Sequence, residues 1–317
     1  MREHFHRPAR PLPPKWVDWL KSLPLYPLPQ HALSRLMQRA TRLRWRPVKD
    51  LTVRWFIHQY GVDMTEALEP NLAAYPTFNA FFTRALRRNA RPQPGSPVKV
   101  ISPADGILSS YGDIHDGTLI QAKGRDYRLD ELLAGDTQWT AAFQNGRYLT
   151  VYLSPSDYHR VHMPATGQLL GMTHVPGRLF SVAPHTVRTV PRLFARNERV
   201  VSYFSTRGGP MAVILVGAVG VGGIETVWHG KVTPPRGRRV RRWEYQDRAP
   251  VALARGVEMG RFNMGSTVIV LFGPGQVNWS DELRWGERIR MGAAVGDQIG
   301  ELARSGSRVS SSPPETV

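Results

Sequence analysis

The sequence predicts an α+β protein, in which N-terminal amphipathic helices precede a mainly antiparallel β sandwich or partly closed barrel. Apolar residues recur at helical spacing between about residues 30 and 46. After residue 98 the chain consists mostly of short β-branched runs separated by glycines, the pattern of a sandwich or barrel. Between the two parts lies a proline-rich hinge at residues 92–94, which favours a domain boundary. We therefore expect a helical N-terminal region (1–92), a β-rich domain (93–303) and a disordered tail (304–317).

The first predicted helix covers about residues 30–46 and has two unlike faces. Its apolar positions follow the spacing i, i+3, i+4, i+7 and i+10, and arginines occupy the other side: Leu33, Leu36, Met37, Ala40 and Leu43 against Arg35, Arg39, Arg42 and Arg46. This pattern is typical of a helix lying in a membrane surface. An ordinary solvent-facing helix packed on the core would give the same pattern.

Further helix signals follow. Asp50 is a candidate N-cap and Gly61 a candidate end of a second helix, Thr77 can cap a short phenylalanine-rich helix, and residues 129–133 predict another short helix. The strand candidates are residues 148–153, 200–204, 213–216, 268–272 and 288–291.

Charge and composition limit the possible partners and compartments. The formal net charge is +17, and residues 1–50 alone hold eleven basic and three acidic side chains. Anions are therefore the expected partners, and nucleic acid and anionic lipid both remain open on charge alone. No apolar run reaches the roughly 20 residues that span a bilayer. The sequence has no cysteine, so it forms no disulfide and no thiolate metal site.

The most informative stretch is Asn263-Met264-Gly265-Ser266-Thr267-Val268-Ile269-Val270. The β-branched run predicts a buried strand with Ser266 at its entrance. Gly265 has no Cβ, so another group can approach its carbonyl closely. A serine directly after that carbonyl can attack it if a base removes the hydroxyl proton. Gly-Ser pairs are common in turns, so this stretch by itself does not establish the chemistry.

The second informative stretch is Ser154-Pro155-Ser156-Asp157-Tyr158-His159-Arg160-Val161-His162-Met163-Pro164. Its first four residues carry a helix-start signature. One helical turn would place His159 and His162 on the same side, whereas a strand would separate them. Two histidines in a surface loop are the alternative interpretation. We predict no metal site, because no further ligand stands at a recognisable spacing.

An aspartate, a histidine and a serine from three stretches could form a triad. Asp105 lies in a predicted tight turn, Ser102-Pro103-Ala104-Asp105-Gly106, and would orient an imidazole that deprotonates Ser266. A serine hydrolase would use the same three residue types. It would normally present its serine on a Gly-x-Ser-x-Gly elbow, which residues 263–267 lack.

Taken together, these stretches resemble the bacterial, membrane-associated phosphatidylserine decarboxylase proenzymes. Besides residues 102–106, 158–164 and 263–267, the similar segments are 194–200, 209–212, 224–228 and 258–262, and the resemblance covers roughly residues 50–300. Met264 departs from the leucine that many members carry, which is a change of little volume.

The resemblance implies a self-processing enzyme. The chain would be cut between Gly265 and Ser266 into residues 1–265 and 266–317, and Ser266 would become a covalent pyruvoyl group. Asp105, His162 and Ser266 match the processing triad, and His159 matches the histidine of decarboxylation. Ser266 would then serve as the Schiff-base group, the electron sink that pyridoxal phosphate provides in other decarboxylases. A histidine titrating near neutrality would protonate the α-carbon.

The expected activity is therefore pyruvoyl-dependent decarboxylation of phosphatidylserine to phosphatidylethanolamine and CO2. The expected partners are phosphatidylserine, an anionic membrane surface, the two chains of one proenzyme and further copies of it, but not nucleic acid. The expected location is the cytoplasmic side of the cell membrane, as a peripheral protein. A non-catalytic basic membrane- or nucleic-acid-binding module and a serine hydrolase remain as alternatives.

Overall fold

The computed structural model describes residues 15–300, apart from positions 123, 124, 221, 222, 235, 236, 238, 247, 248, 264 and 265. The predicted disordered tail and the proline-rich first 14 residues lie outside the described residues. Gly265, on the amino side of the expected cut, also lies outside them.

Helices dominate residues 15–82 and return at intervals later. In the described residues the α-helices are α1 (Trp16–Ser22), α2 (Gln30–Ala40), α3 (Arg46–Tyr60), α4 (Phe78–Phe82), α5 (Leu129–Leu132), α6 (Thr137–Phe143), α7 (Pro184–Thr189) and α8 (Leu193–Arg196). Two 3-10 turns lie at Leu23–Leu25 and Leu72–Ala74.

Local signals explain most helix ends. Gly61 ends α3 in the left-handed conformation, at φ 62°, which glycine adopts without strain. The Thr77 hydroxyl caps α4 by accepting a hydrogen bond from the Ala80 amide at 3.1 Å. The predicted start of α3 at Asp50 is wrong, because the helix begins at Arg46 with Pro47 in its first turn. The predicted 30–46 helix correspondingly ends at Ala40.

The remainder of the chain is mostly β structure. Its strands are β1 (Lys99–Ile101), β2 (Gly106–Asp113), β3 (Thr118–Ala122), β4 (Arg125–Arg128), β5 (Arg147–Leu153), β6 (Arg160–His162), β7 (Gly167–Val175), β8 (Arg199–Thr206), β9 (Gly209–Gly217), β10 (Ile224–Thr226), β11 (Gly230–Lys231), β12 (Arg241–Glu244), β13 (Ala252–Leu253), β14 (Glu258–Phe262), β15 (Ser266–Phe272), β16 (Val277–Trp279), β17 (Arg288–Ile289) and β18 (Ala294–Gln298).

Four sheets contain these strands, and every pairing between them is antiparallel. The largest has the order β12-β7-β8-β9-β15-β5-β2-β17, with β13 also paired to β7. The others are β11-β10-β14-β6, β1-β18-β16 and β3-β4. No sheet of the described residues closes into a barrel, and the predicted α+β class is confirmed.

Strand β15 is central to the large sheet and is buried on both faces. Val268 and Val270 belong to one hydrophobic cluster, and Ile269 and Leu271, which alternate with them, belong to the other. This burial on both faces explains why the sequence of β15 is a continuous apolar run, without the alternation of apolar and polar residues in a half-exposed strand.

The N-terminal helices contact the β structure through polar side chains. Arg188 of α7 donates to both carboxylate oxygens of Asp18 at 2.8 and 2.9 Å, and Thr189 donates to Ser22 at 2.7 Å. The Leu179 amide donates to Gln30 at 2.8 Å. Helices α1 and α2 are therefore held on the β-rich part by hydrogen bonds, while many of their apolar side chains are exposed. In the described part of the chain, no helix has the length and apolar character needed to cross a bilayer.

Candidate active site

Ser266 is the first residue of β15 and lies in the interior of the large sheet. Its Cα pairs with Leu153 of β5 on one side and with Gly217 of β9 on the other. The residue is fully buried, and its Oγ has no hydrogen-bond partner among the described residues. A buried hydroxyl without a partner is unfavourable, which marks Ser266 as a candidate for chemistry.

The segment that leads to Ser266 is anchored by Asn263. Its amide N–H donates to the Gly223 carbonyl at 2.9 Å, and its Nδ2 donates to Glu225 Oε1 at 2.9 Å. Its Oδ1 accepts from Nδ2 of Asn79, a residue of α4, at 2.9 Å. The chain three residues before Ser266 is thus fixed from the β structure and from the N-terminal helices. Asn79 and Glu225 were not predicted as site residues, because no local pattern signals this contact.

His159 precedes β6 and is fully buried. Its Nδ1–H donates to the Asp157 carbonyl at 2.7 Å, so Nε2 carries the lone pair, and Nε2 has no partner among the described residues. The centroid of its ring lies 4.2 Å from the centroid of the Phe82 ring. Burial, with a smaller contribution from the charge of Arg84, lowers the pKa of His159 to about 3, against the opposing effect of the hydrogen bond to Asp157. The expectation of a histidine titrating near neutrality is therefore wrong for the chain before substrate binds.

His162 lies within β6, and the predicted helical turn joining it to His159 is wrong. Residues 155–157 form only a turn, in which Asp157 accepts from the Ser154 amide and hydroxyl at 2.7 Å each. The His162 Nδ1–H donates to the Gly256 carbonyl at 2.8 Å, and its Nε2 accepts from the Tyr158 hydroxyl at 3.1 Å. Burial lowers the pKa of His162, so the neutral imidazole predominates at pH 7.

Asp105 is held by an arginine in addition to the backbone. Arg91 donates from Nε to Oδ1 at 2.8 Å and from Nη2 to Oδ2, and its Nη2 also donates to Glu66 at 2.8 Å. The Met291 amide donates to Asp105 Oδ1 at 2.8 Å. The predicted tight turn is wrong, because residues 103–105 form a bend that connects strands of two different sheets.

Next to Asp105, Gly106 is required by close packing. A Cβ at position 106 would lie 2.1 Å from the Tyr152 carbonyl oxygen. Any other residue there would push β2 away from β5 and displace Asp105 with it.

The structure brings the predicted residues into neighbouring elements without joining their side chains. The His162 amide donates to the Pro103 carbonyl at 2.8 Å, and the His159 carbonyl accepts from the Phe262 amide at 3.0 Å. These two bonds tie β6 to the chain before Asp105 and to the strand before Ser266. Among the described contacts, no hydrogen bond links any two of Asp105, His162 and Ser266, and their roles stay a prediction.

Tyr158 and Arg91 are two further contacts that sequence reasoning missed. Tyr158 stands in the histidine motif itself, four residues before His162, so its position was a usable signal. Arg91 belongs to an arginine-rich stretch with no distinguishing feature, and its pairing with Asp105 is visible only in three dimensions. Among the described residues, no group of three or more histidine, aspartate or glutamate side chains could hold a metal ion.

Comparisons with known proteins agree on one family. The family model described as phosphatidylserine decarboxylase matches residues 78–297, and a second model, described as PSD, matches residues 20–61. A phosphatidylserine decarboxylase proenzyme of Alkalilimnicola ehrlichii is 57% identical over 260 residues, covering 82% of this chain and 90% of the relative. Proteins of the same name from Methylococcus capsulatus and Ectopseudomonas mendocina are each 53% identical, covering 86% of this chain and 94% and 96% of those relatives.

All three relatives carry the name of a decarboxylase proenzyme, which defines the class: an enzyme made as an inactive precursor. This chain belongs to the phosphatidylserine decarboxylase family. The resemblance recognised in the sequence is confirmed.

Proposed function

We propose that this chain is a phosphatidylserine decarboxylase proenzyme that cuts itself between Gly265 and Ser266. The mature enzyme converts phosphatidylserine to phosphatidylethanolamine and CO2. Family membership supports the reaction. The observation that carries the site assignment is the Ser266 hydroxyl, which is buried and unpartnered at the start of the central strand.

Self-cleavage begins when Ser266 Oγ attacks the Gly265 carbonyl carbon. The peptide C–N bond breaks, the amine of residue 266 is freed, and an ester joins the Gly265 carbonyl to Ser266 Oγ. Loss of the Ser266 α-proton then breaks the Oγ–Cβ bond, which releases residues 1–265 as a carboxylate and leaves dehydroalanine at position 266. Water hydrolyses the dehydroalanine to the pyruvoyl group with loss of ammonia.

His162 acts as the base in this cleavage. Burial keeps its imidazole neutral, and the bond from Nδ1–H to Gly256 leaves the lone pair on Nε2. Tyr158 occupies that lone pair, so its hydroxyl moves aside before Nε2 takes the serine proton. Asp105 contributes its negative charge, which raises the pKa of His162 and favours the imidazolium that forms.

The surroundings of Ser266 suit a pyruvoyl group at that position. Gly217, directly opposite in β9, places no side chain beside Ser266, and the unpartnered Oγ has no hydrogen bond to lose. The pyruvoyl group supplies the electron sink for decarboxylation. His159 Nε2 takes the proton that the substrate ammonium gives up and returns it to the α-carbon after CO2 leaves.

The N-terminal helices attach the enzyme to the membrane as a peripheral protein on the cytoplasmic side. Their exposed apolar side chains include Trp16, Leu36 and Leu51, with 74%, 64% and 71% of their surface accessible. Such a concentration marks an interaction surface, and the positive charge of residues 1–50 suits anionic lipid. We place this region at residues 1–92 and the catalytic domain at 93–303, in a homo-oligomeric enzyme.

Intact mass and a denaturing gel of the purified protein test the proposal. We expect two chains, with the small chain lighter by one ammonia than residues 266–317. Ser266→Ala should stay a single chain. Ser202→Ala is the matched control, because Ser202 of β8 is also fully buried with an unpartnered Oγ. A cleanly cut Ser266→Ala protein, or an uncut wild-type protein, contradicts the proposal.

A further inference from the structure

A cavity lies between α2 and the β-rich part. Its volume is about 660 Å³, within the range of roughly 300–1,000 Å³ that is usual for small-ligand sites. Helix α2 forms one wall, residues 176–179 after β7 form another, and backbone around β9 and β10 forms the floor.

The cavity floor is the backbone that holds the candidate active site. Gly217 lines the cavity and is the pairing partner of Ser266 in the large sheet. Gly223 also lines it, and its carbonyl accepts the Asn263 amide at 2.9 Å. The cavity therefore borders the backbone that pairs with Ser266 and the backbone that anchors Asn263.

Helix α2 turns its polar stripe toward this cavity. His31, Ser34, Arg35 and Gln38 follow the spacing i, i+3, i+4 and i+7, and all four line it. Leu36 and Met37 of the same helix are exposed. The wall of the cavity is thus the inner side of the helix whose outer side is apolar.

Two arginines from separate elements line the cavity. Arg35 comes from α2 and has no ion-pair partner among the described residues. Arg178 comes from the loop after β7, where its Nη2 donates to the Tyr26 carbonyl at 2.7 Å and its guanidinium lies 5.3 Å from the Phe180 ring centroid. Glu198 is the one carboxylate among the described lining residues, and it is already bonded to His174 at 3.2 Å.

We propose that this cavity binds the phosphodiester of the lipid headgroup, with Arg35 and Arg178 as its specificity-determining residues. The proposal rests on the proposed function and names the part of the substrate that these residues recognise. Guanidinium groups are well suited to phosphate oxygens, because they donate two parallel hydrogen bonds and stay charged. Glu198 disfavours a second anion, so the substrate carboxylate is left for the reaction at Ser266. The apolar outer side of α2 places the cavity next to the lipid surface.

The test measures how well two amines are trapped on the small chain by cyanoborohydride, read by intact mass. Glycerophosphoserine has the phosphodiester, whereas O-methylserine has the same amine and carboxylate without it. We expect wild-type protein to trap glycerophosphoserine at a concentration at least about tenfold lower than the concentration of O-methylserine that gives the same trapping. Arg35→Gln and Arg178→Gln should each reduce that preference about tenfold, since each loses a charged hydrogen bond. Trapping of O-methylserine should not change.

Two further variants make the comparison specific. Arg39→Gln changes an exposed arginine one turn further along α2 that does not line the cavity, and it should keep the wild-type preference. Arg35→Lys keeps the positive charge but loses the planar guanidinium, so it should keep part of the preference for glycerophosphoserine. All variants should still cleave themselves. A denaturing gel detects this cleavage, and a cleaved variant has folded.

A cleaved wild-type protein that traps both amines equally overturns this inference and leaves the proposed function standing. The same holds if Arg35→Gln and Arg178→Gln weaken the trapping of both amines alike. Inorganic phosphate should compete with glycerophosphoserine, and competition without any preference for the diester would mean a site for free anions instead. A small chain that traps neither amine contradicts the proposed function itself.

Discussion

Helices α1–α3 and strand β15 use the same kinds of apolar residue in opposite surroundings. All seven residues of β15 are buried, whereas Trp16, Leu36, Leu51 and Trp55 have more than half of their surface accessible. The inward contacts of α1 and α2 are instead polar, as in the pair of Asp18 with Arg188, while α3 also buries Val53 and Phe56 against α4. The strand thus uses apolar side chains to build a core, and the helices present many of theirs outward. The difference teaches that hydrogen bonds help to hold α1 and α2 on the enzyme, which leaves their apolar sides available.

The largest expected effects are in the β region, where the two histidines should separate by role. His162→Ala should abolish self-cleavage, because no base remains for Ser266. His159→Ala should cleave normally and then lose most decarboxylation, by about 10² to 10⁴-fold, the usual contribution of an acid–base residue. A denaturing gel and a CO2-release assay measure the two outcomes. Normal processing by His162→Ala, or one phenotype for both variants, contradicts the assignment.

The next effect belongs to the helices. Leu36→Ser should weaken binding to anionic vesicles about tenfold, because the substitution removes most of an apolar side chain that is exposed in the protein and would be buried in lipid on binding. Val227→Ser is the control, since Val227 is also an exposed apolar residue, at 49%, but lies in the β-rich part, outside residues 1–92. Vesicle co-sedimentation measures binding, and a gel should show unchanged self-cleavage for both. Equal loss in the two variants would show that the helices are not the attachment surface.

A smaller effect concerns stability against pH. The folded pKa of His159 is lowered to about 3, below its unfolded value of about 6.5. Between these values the unfolded chain binds the extra proton, so stability falls as the pH falls through that window, by at most about 1.4 kcal/mol per pH unit. His159→Asn in an uncleaved Ser266→Ala background should flatten this dependence between pH 6.5 and about 4.5. Thermal unfolding at several pH values checks it, and parallel curves for both proteins would refute the burial argument.

The smallest effect is that of salt on membrane attachment. Raising the ionic strength from about 0.1 M to about 1 M shortens the screening length from about 10 Å to about 3 Å. Binding of the wild-type protein to anionic vesicles should weaken several-fold without disappearing, since the apolar contact is not screened. Complete release at high salt in co-sedimentation would mean that charge alone holds the protein.

Local signals predicted much of the fold, and their limits are physical. The strand predicted at residues 268–272, the helix end at Gly61 and the helix cap at Thr77 each depend on signals within a few residues, and each prediction is confirmed. The start of α3 was missed because Pro47 and Asp50 both favour helix starts and the sequence does not rank them. The side-chain contacts of the site depend on pairs such as Arg91 with Asp105 and Asn79 with Asn263, which no spacing rule connects. The same is true of the buried environment of His159, to which Phe82 contributes from a distant helix.

The central place of β15 has a consequence for the particle that cleavage leaves. Residues 266–272 pair with β5 along one edge and with β9 along the other, through seven residues each. Further along the same product, β17 pairs with β2 and β18 pairs with β1. The small chain is therefore woven into two sheets of the large one, and breaking the peptide bond before Ser266 removes none of these pairings. The two chains should therefore stay together, so cleavage should not change the native mass, and the new chain end stays fixed in the sheet, which holds the reactive group at a defined position.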